Sequence, residues 1–249
     1  MSSADFAAAD TVTFTTVADA TLFAESGDTA SGADDGVFAG VNGNTGGFVE
    51  RRALLRFDLS SVPANATVTT AALTLNVTRT NHAGDVSNAL YRATASWGEG
   101  MSTAGAGGGA GGAATPGSAT WAYRFWNTTT WSMSGGDYVS QPTATTVVGA
   151  VGTYVWISPQ LAADVQSWVQ APASNFGWIL IAAPIGGTTA KRYASREFSN
   201  PQQRPVLSVT YELPAPADIP LPPWAYAAVA VGVLAIGVRA ARGAGAPTR

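Results

Sequence analysis

The chain has no cysteine, one histidine and few charges: Asp, Glu, Lys and Arg together make up 12% of its 249 residues, roughly half the share of an average globular domain. Without cysteine there is neither a disulfide framework nor a thiolate metal site. The one histidine, His82, sits in the polar turn "TRTNHAGD", so a histidine-dependent nucleophilic triad would have to be assembled there. HExxH, a Gly-Lys-Ser/Thr phosphate loop and a GxSxG elbow are also missing, which removes three familiar catalytic signatures. The first fifty positions hold no Lys or Arg, and residues 1–213 carry ten basic against fifteen acidic side chains, a net of −5. Such a balance lacks the basic footprint that neutralises phosphates, so nucleic acid is not expected as a partner.

What the chain does contain is Thr, Ser, Gly, Ala and period-two hydrophobicity, the composition of an extracellular β protein. "TVTTAALTLNVTRT" puts Ala71, Leu73, Leu75 and Val77 on one face and Thr70, Thr74, Asn76 and Thr78 on the other, the alternation of a half-buried antiparallel strand. "TVTFTTV", "ATLFAE", "SNALYRAT", "TTVVGAVGTYVWIS", "GWILIAA" and "PVLSVTYEL" read the same way. Many short strands between Gly and Pro turns predict an all-β, jelly-roll-like antiparallel β-sandwich. One short helix is expected in "SPQLAADVQSWVQ", with Ser158 as N-cap, Pro159 at the first helical position, and Leu161, Val165, Trp168 and Val169 on one apolar face. It should close an end of the sandwich.

Residues 1–213 are expected to form this domain, 214–223 a Pro-rich linker, and 224–249 a single transmembrane helix with an Arg-rich end. Ile219 to Val238 carry no charge and are followed by Arg239, Arg242 and Arg249; about 20 apolar residues span a bilayer, and arginines collect on the cytoplasmic side. The arrangement, with "IPLPPW" ahead of it, resembles the IPTL and PEP types of bacterial C-terminal sorting tail. That resemblance implies export to the cell surface, membrane anchoring before processing, and a sorting or processing enzyme as partner. The opening "MSSADFAAADTV" shows neither the positive n-region nor the apolar h-region of a secretory signal, so the expectation of export rests on the tail.

Alternation in "VERRALLRFDLSSVP" places Ala53, Leu55, Phe57 and Leu59 inward and Arg52, Leu54, Arg56 and Asp58 on the opposite face. That face reads either as a solvated, cross-strand-paired surface or as one that meets a polar ligand, with Glu197 of "ASREF" as the expected partner of Arg52 or Arg56. "RRALLRFDLSSVPANATVTTAALTLNV", "SWGEG", "LAADVQSWV", "NFGWILI" and "ASREFSNPQQRPVLSVTY" follow one another in an order that resembles the bacterial DNRLRE domain family over roughly residues 17–212. The resemblance implies a β-sandwich of the kind found in carbohydrate-binding modules, some of which bind acidic polysaccharides such as alginate. Fold transfers better than function on such grounds.

Two clusters are candidate sites. In "DATLFAESGDTASGADDGVFAGVNGN" acidic and amide side chains mix with glycines, and calcium takes six to eight oxygens from flexible loops. Asp19 with Asp34 and Asp35 are the expected ligands of a structural calcium ion, a soluble acidic loop being the alternative. Four tryptophans lie within 35 residues around the insertion "GEGMSTAGAGGGAGGAATPG", whose nine glycines predict a flexible loop that packs no core. Trp121, Trp126 and Trp131 are expected to offer a stacking platform for sugar rings, with Arg124, Arg52 and Arg56 as polar readers. The function so predicted is non-catalytic binding of extracellular polysaccharide by an exported surface protein. The alternatives are a structural surface or matrix protein and, through two suitably spaced carboxylates, a polysaccharide lyase or glycoside hydrolase.

Overall fold

The computed structural model describes residues 9–44, 47–105 and 109–215. Its strands are β1 (Ala9–Phe23), β2 (Thr29–Ala30), β3 (Gly36–Asn44), β4 (Gly47–Phe57), β5 (Thr67–Thr80), β6 (Val86–Arg92), β7 (Gly112–Ala113), β8 (Tyr123–Phe125), β9 (Thr129–Thr130), β10 (Ala144–Val148), β11 (Gly152–Ile157), β12 (Trp178–Ala182), β13 (Lys191–Ala194) and β14 (Val206–Glu212), with α1 (Pro159–Gln170) between β11 and β12. All pairings are antiparallel.

Two layers emerge from the registers. In the first, β5 is flanked on one edge by β14 and β13 and on the other by β11, because Leu73 pairs with both Leu207 and Trp156, and Val77 with both Tyr193 and Gly152. In the second, β4 lies between β1 and the strands β3 and β12, and β12 leads on through β6 to β10. Two strands belong to both layers. Residues Ala9–Thr15 of β1 pair with β14 while Thr16–Phe23 pair with β4, the register breaking between Thr16 and Ala18. Likewise, Gly36–Ala39 of β3 pair with β13 and Gly40–Asn44 with β4. The turn in β3 falls at Gly40, whose φ of 120° suits glycine.

Between the layers lies one core in which Leu55, Phe57, Leu73, Leu75, Trp156, Trp178, Tyr193 and Leu207 are buried. The inward faces expected for β4 and β5 are the ones observed. Helix α1 caps this core with Leu161, Val165, Trp168 and Val169, and Ser158 accepts a hydrogen bond from Leu161 N as its N-cap. On α1, the buried Asp164 accepts hydrogen bonds from Thr143 Oγ1 (2.6 Å), Trp178 Nε1 (3.1 Å) and Gln160 Nε2 (3.1 Å).

The structure departs from the sequence reading on the outer face of β4. That face is covered rather than wet: the long connection from β6 to β10 folds over it and forms a second core in which Leu22, Leu54, Trp97, Ala119, Trp131 and Ile179 are buried. The Gly-rich insertion, expected to pack no core, thus has packed flanks. Its glycines let backbones approach: a Cβ on Gly112 would lie 2.0 Å from the carbonyl oxygen of Thr103. Among the described residues no helix is long and apolar enough to cross a membrane. The C-terminal span and most of the linker before it lie outside the described residues.

Candidate functional site

A cleft opens where β3, β4, β5 and β13 meet. It measures about 210 Å³ and is lined by Phe38, Asn42, Arg51, Arg79, Thr80, Asn81, Gly109, Ala190 and Arg192. Arg51 pairs across β4 with Phe23 on one side and Gly40 on the other. Its guanidinium is almost completely buried, sits 5.0 Å from the Phe23 ring centre, and meets Glu25 through two bonds of 2.6 and 2.5 Å. Burial pushes the Arg51 guanidinium below its ordinary range, and Glu25 opposes that shift. Arg192 of β13 lies opposite Phe38 and Arg79, forms an ion pair with Asp35, and donates to Thr78 Oγ1 at 2.8 Å. Its Nε is buried with no hydrogen-bond acceptor, whereas Arg79 is exposed.

Arg51, Arg79 and Arg192 are the charged residues among those that line the cleft, in a domain whose sequence is net negative. Guanidinium groups match carboxylate and sulfate geometry through paired N–H donors, and a charged concave wall concentrates ligands of opposite sign. Another cavity, of about 600 Å³, lies between α1 and the β4–β5 connection, where Arg56 and Asp58 offset each other beside Val62, Pro63 and Trp168. It lacks the charge bias of the first.

The residues expected to form a sugar platform are placed otherwise. Trp131 is 4% exposed and donates to Thr120 O at 2.9 Å, so it belongs to the second core. Trp121 packs at its margin with the Arg52 guanidinium 4.7 Å from its ring centre, and Arg52 also meets Glu50 at 2.8 Å and Gly135 O at 2.8 Å. Arg56 lies 5.4 Å from the ring centre of buried Trp97. Arg124 is tied to Ser96 O and Oγ at 3.1 and 2.8 Å, and Trp126 Nε1 donates to Asp28 at 3.0 Å. Arg52 and Arg56 of β4 thus meet Trp121 and Trp97 of the connection that covers the strand; these two arginines, Trp121, Arg124 and Trp126 are half-buried, and Trp131 is buried. Glu197 pairs with Arg196 at 2.8 Å and not with Arg52 or Arg56. Trp131→Ala is expected to destabilise the fold by about 3 kcal/mol, as deletion of a buried tryptophan does, which a urea melt would show as a lowered midpoint with unchanged slope.

The acids also sort differently. Asp34 accepts from Ala104 N through both oxygens (3.0 Å each) and Asp35 holds Arg192. Asp19 instead meets Glu99 and Glu197, the three offering carboxylate oxygens within 4.8 Å of one another. Asp19 is completely buried, and that burial pushes its carboxyl up to about 8 against the opposing hydrogen bond from Arg196 N.

Sequence reading gives Arg51 no role, and parity groups it with the inward Ala53 and Leu55; the signal for it lies in the first fifty residues, where Glu25 has no nearby basic partner in sequence. Arg192 and Arg79 carry no sequence signal, since strand pairing alone brings them together.

Residues 10–103 match the model of carbohydrate-binding module family 96, over less than half of the chain. No curated protein matches it. The matched segment contains Phe38, Asn42, Arg51, Arg79, Thr80 and Asn81 of the cleft, together with Asp19 and Glu99; it ends before Trp121, Trp126, Trp131, Arg192 and Glu197.

Proposed function

We propose that this protein binds extracellular polysaccharide without catalysis, and that the cleft between Arg51, Arg79 and Arg192 takes an acidic sugar. The observation that carries this reading is the convergence of three guanidiniums on one concavity of a net-acidic domain. The match of residues 10–103 to a carbohydrate-binding module family supports it, and most of the cleft's lining falls within that match. Phe38 supplies an apolar surface beside Asn42 and Asn81, whose amides suit sugar hydroxyls. In this proposal residues 1–213 are the binding domain, and the C-terminal tail brings export, the membrane and a processing enzyme as sequence-based additions.

The hydrolase or lyase alternative draws no support from the cleft, whose lining residues include no acid. The structural-protein alternative has one observation in its favour: Val147, Val151, Val155 and Ile157 are exposed on β10, β11 and the turn between them, apolar side chains suited to packing against other surfaces.

The test is titration of the full chain with polygalacturonate and alginate against a neutral glucan, at two salt concentrations. Binding to the acidic polymers alone is expected, weakening with salt. Arg79→Ala, an exposed change, should reduce affinity about tenfold, the worth of one charge-assisted contact, with the melting temperature held. Equal binding of the neutral glucan, or an Arg79→Ala variant of wild-type affinity, would overturn the cleft assignment. No binding to any polymer would leave the structural reading.

A further inference from the structure

The cluster at the root of the insertion takes no part in the cleft. Asp19 comes from β1, Glu99 from the segment that leaves the second core after Trp97, and Glu197 from the β13–β14 connection. Oxygens that share a calcium ion at about 2.3–2.6 Å lie no more than roughly 5 Å apart. The three carboxylates meet that spacing.

The hydrogen bonds supply an independent observation. Oδ2 of Asp19 accepts from Arg196 N at 2.8 Å and Thr16 Oγ1 at 3.3 Å, yet Oδ1 of this fully buried side chain has no partner. Oε2 of Glu197 is likewise buried and unpartnered. Buried polar atoms are almost always satisfied. Two orphaned oxygens in one cluster are both acceptors, so what the cluster lacks is positive charge or a donor. Arg196 supplies part of it, with Nε 2.7 Å from Glu99 Oε1 and 2.8 Å from Glu197 Oε1, and Nη2 2.8 Å from Glu99 Oε2. With Asp19 held in its ionised form by a bound cation, three carboxylates and one guanidinium leave two negative charges for that cation to meet.

We propose that Asp19, Glu99 and Glu197 bind a calcium ion. Hard carboxylate oxygens with no nitrogen or sulfur among them suit calcium or magnesium, and an irregular set drawn from three separate segments suits the more permissive calcium. The side chains of Glu99 and Glu197 are 16% and 26% exposed, which opens one side of the site for ion entry and for the waters that complete the shell. Asp19 forms its floor. The ion ties strand β1 to the root of the connection that covers β4 and to the loop before β14, and so acts as a clamp between the two cores. This placement differs from the expected set of Asp19, Asp34 and Asp35, of which it keeps Asp19.

The test uses the full chain stripped with chelator and desalted, and is independent of any sugar. Calorimetric titration with calcium chloride should show one equivalent bound, and a hundredfold excess over Kd should raise the melting temperature by about 5–10 °C. Magnesium should bind at least tenfold more weakly. Glu197→Gln, at the rim, should fold normally in chelator and bind calcium at least tenfold more weakly; Asp19→Asn should abolish the response. Absence of calcium binding by the wild type at millimolar concentration would overturn the proposal, as would a Glu197→Gln variant that binds like wild type. An Asp19→Asn variant more stable than a calcium-insensitive wild type would show instead that Asp19 is held as a neutral acid.

Discussion

Asp164→Ala is expected to destabilise the protein by about 3–5 kcal/mol, a large part of the roughly 5–15 kcal/mol that holds a domain folded. The carboxylate sits on the buried face of α1 and receives Thr143 Oγ1, Trp178 Nε1 and Gln160 Nε2; Arg92 lies 3.8 Å away but is partly exposed and adds little. Removing the carboxylate leaves two buried donors without acceptors, on Thr143 and Trp178. Trp178 is also the middle of an edge-to-face aromatic cluster, its ring centre 4.5 Å from that of Trp168 and 6.2 Å from that of Phe57, so a misplaced indole disturbs the contact of helix with sheet. The check is urea denaturation of Asp164→Ala alone and in a Trp178→Phe background. In the second background the loss should shrink by about 1–2 kcal/mol, because the indole donor is already gone. Equal losses in both would mean that the indole bond contributes nothing.

Gly40→Ala should cost about 3–5 kcal/mol, from two causes that add. The backbone at Gly40 has φ of 120°, a conformation that costs an L-residue about 1–3 kcal/mol. A Cβ there would also lie 2.8 Å from both Ala190 Cα and Thr189 O, and overpacking against backbone adds about 1–3 kcal/mol. The site matters because β3 changes layers at this residue. Gly117 separates the two causes: its φ is 85° but a Cβ would meet nothing within 4 Å, so Gly117→Ala should cost only about 1–2 kcal/mol. Thermal melts of the two variants test the difference, and equal losses would show that crowding at Gly40 is relieved by movement of the 189–190 backbone.

The distinction between strain and contact recurs in what could be read from the chain. Strands β4, β5, β6, β12 and β14 follow from alternation, and α1 from Ser158, Pro159 and its apolar spacing, because these signals are local: a period of two or 3.6 records which side of an element will be dry. The segment 36–44 escaped that reading. Its glycines and asparagines, just after Asp34 and Asp35, looked like a loop, and it is a strand only because β13 and β4 are there to pair with it. The outer face of β4 was misassigned for a related reason. Period two shows that Arg52, Leu54 and Arg56 share a side, but not whether water or the chain from β6 to β10 will cover it.

By itself, then, the sequence determined the class of fold, the helix with its cap, the inward faces of the central strands, the shortage of basic partners for the N-terminal acids, and the exclusion of thiol chemistry. Tertiary structure alone decided the sites. Arg51, Arg79 and Arg192 converge because β13 pairs with β5 and β3 joins β13 to β4, through hydrogen bonds between segments far apart in the chain, and Asp19 of β1 meets Glu99 and Glu197 where two connections between strands fold back on it. Backbone pairing depends little on side-chain identity. A sequence that specifies its strands through local periodicity therefore leaves unwritten which charges those strands will bring together.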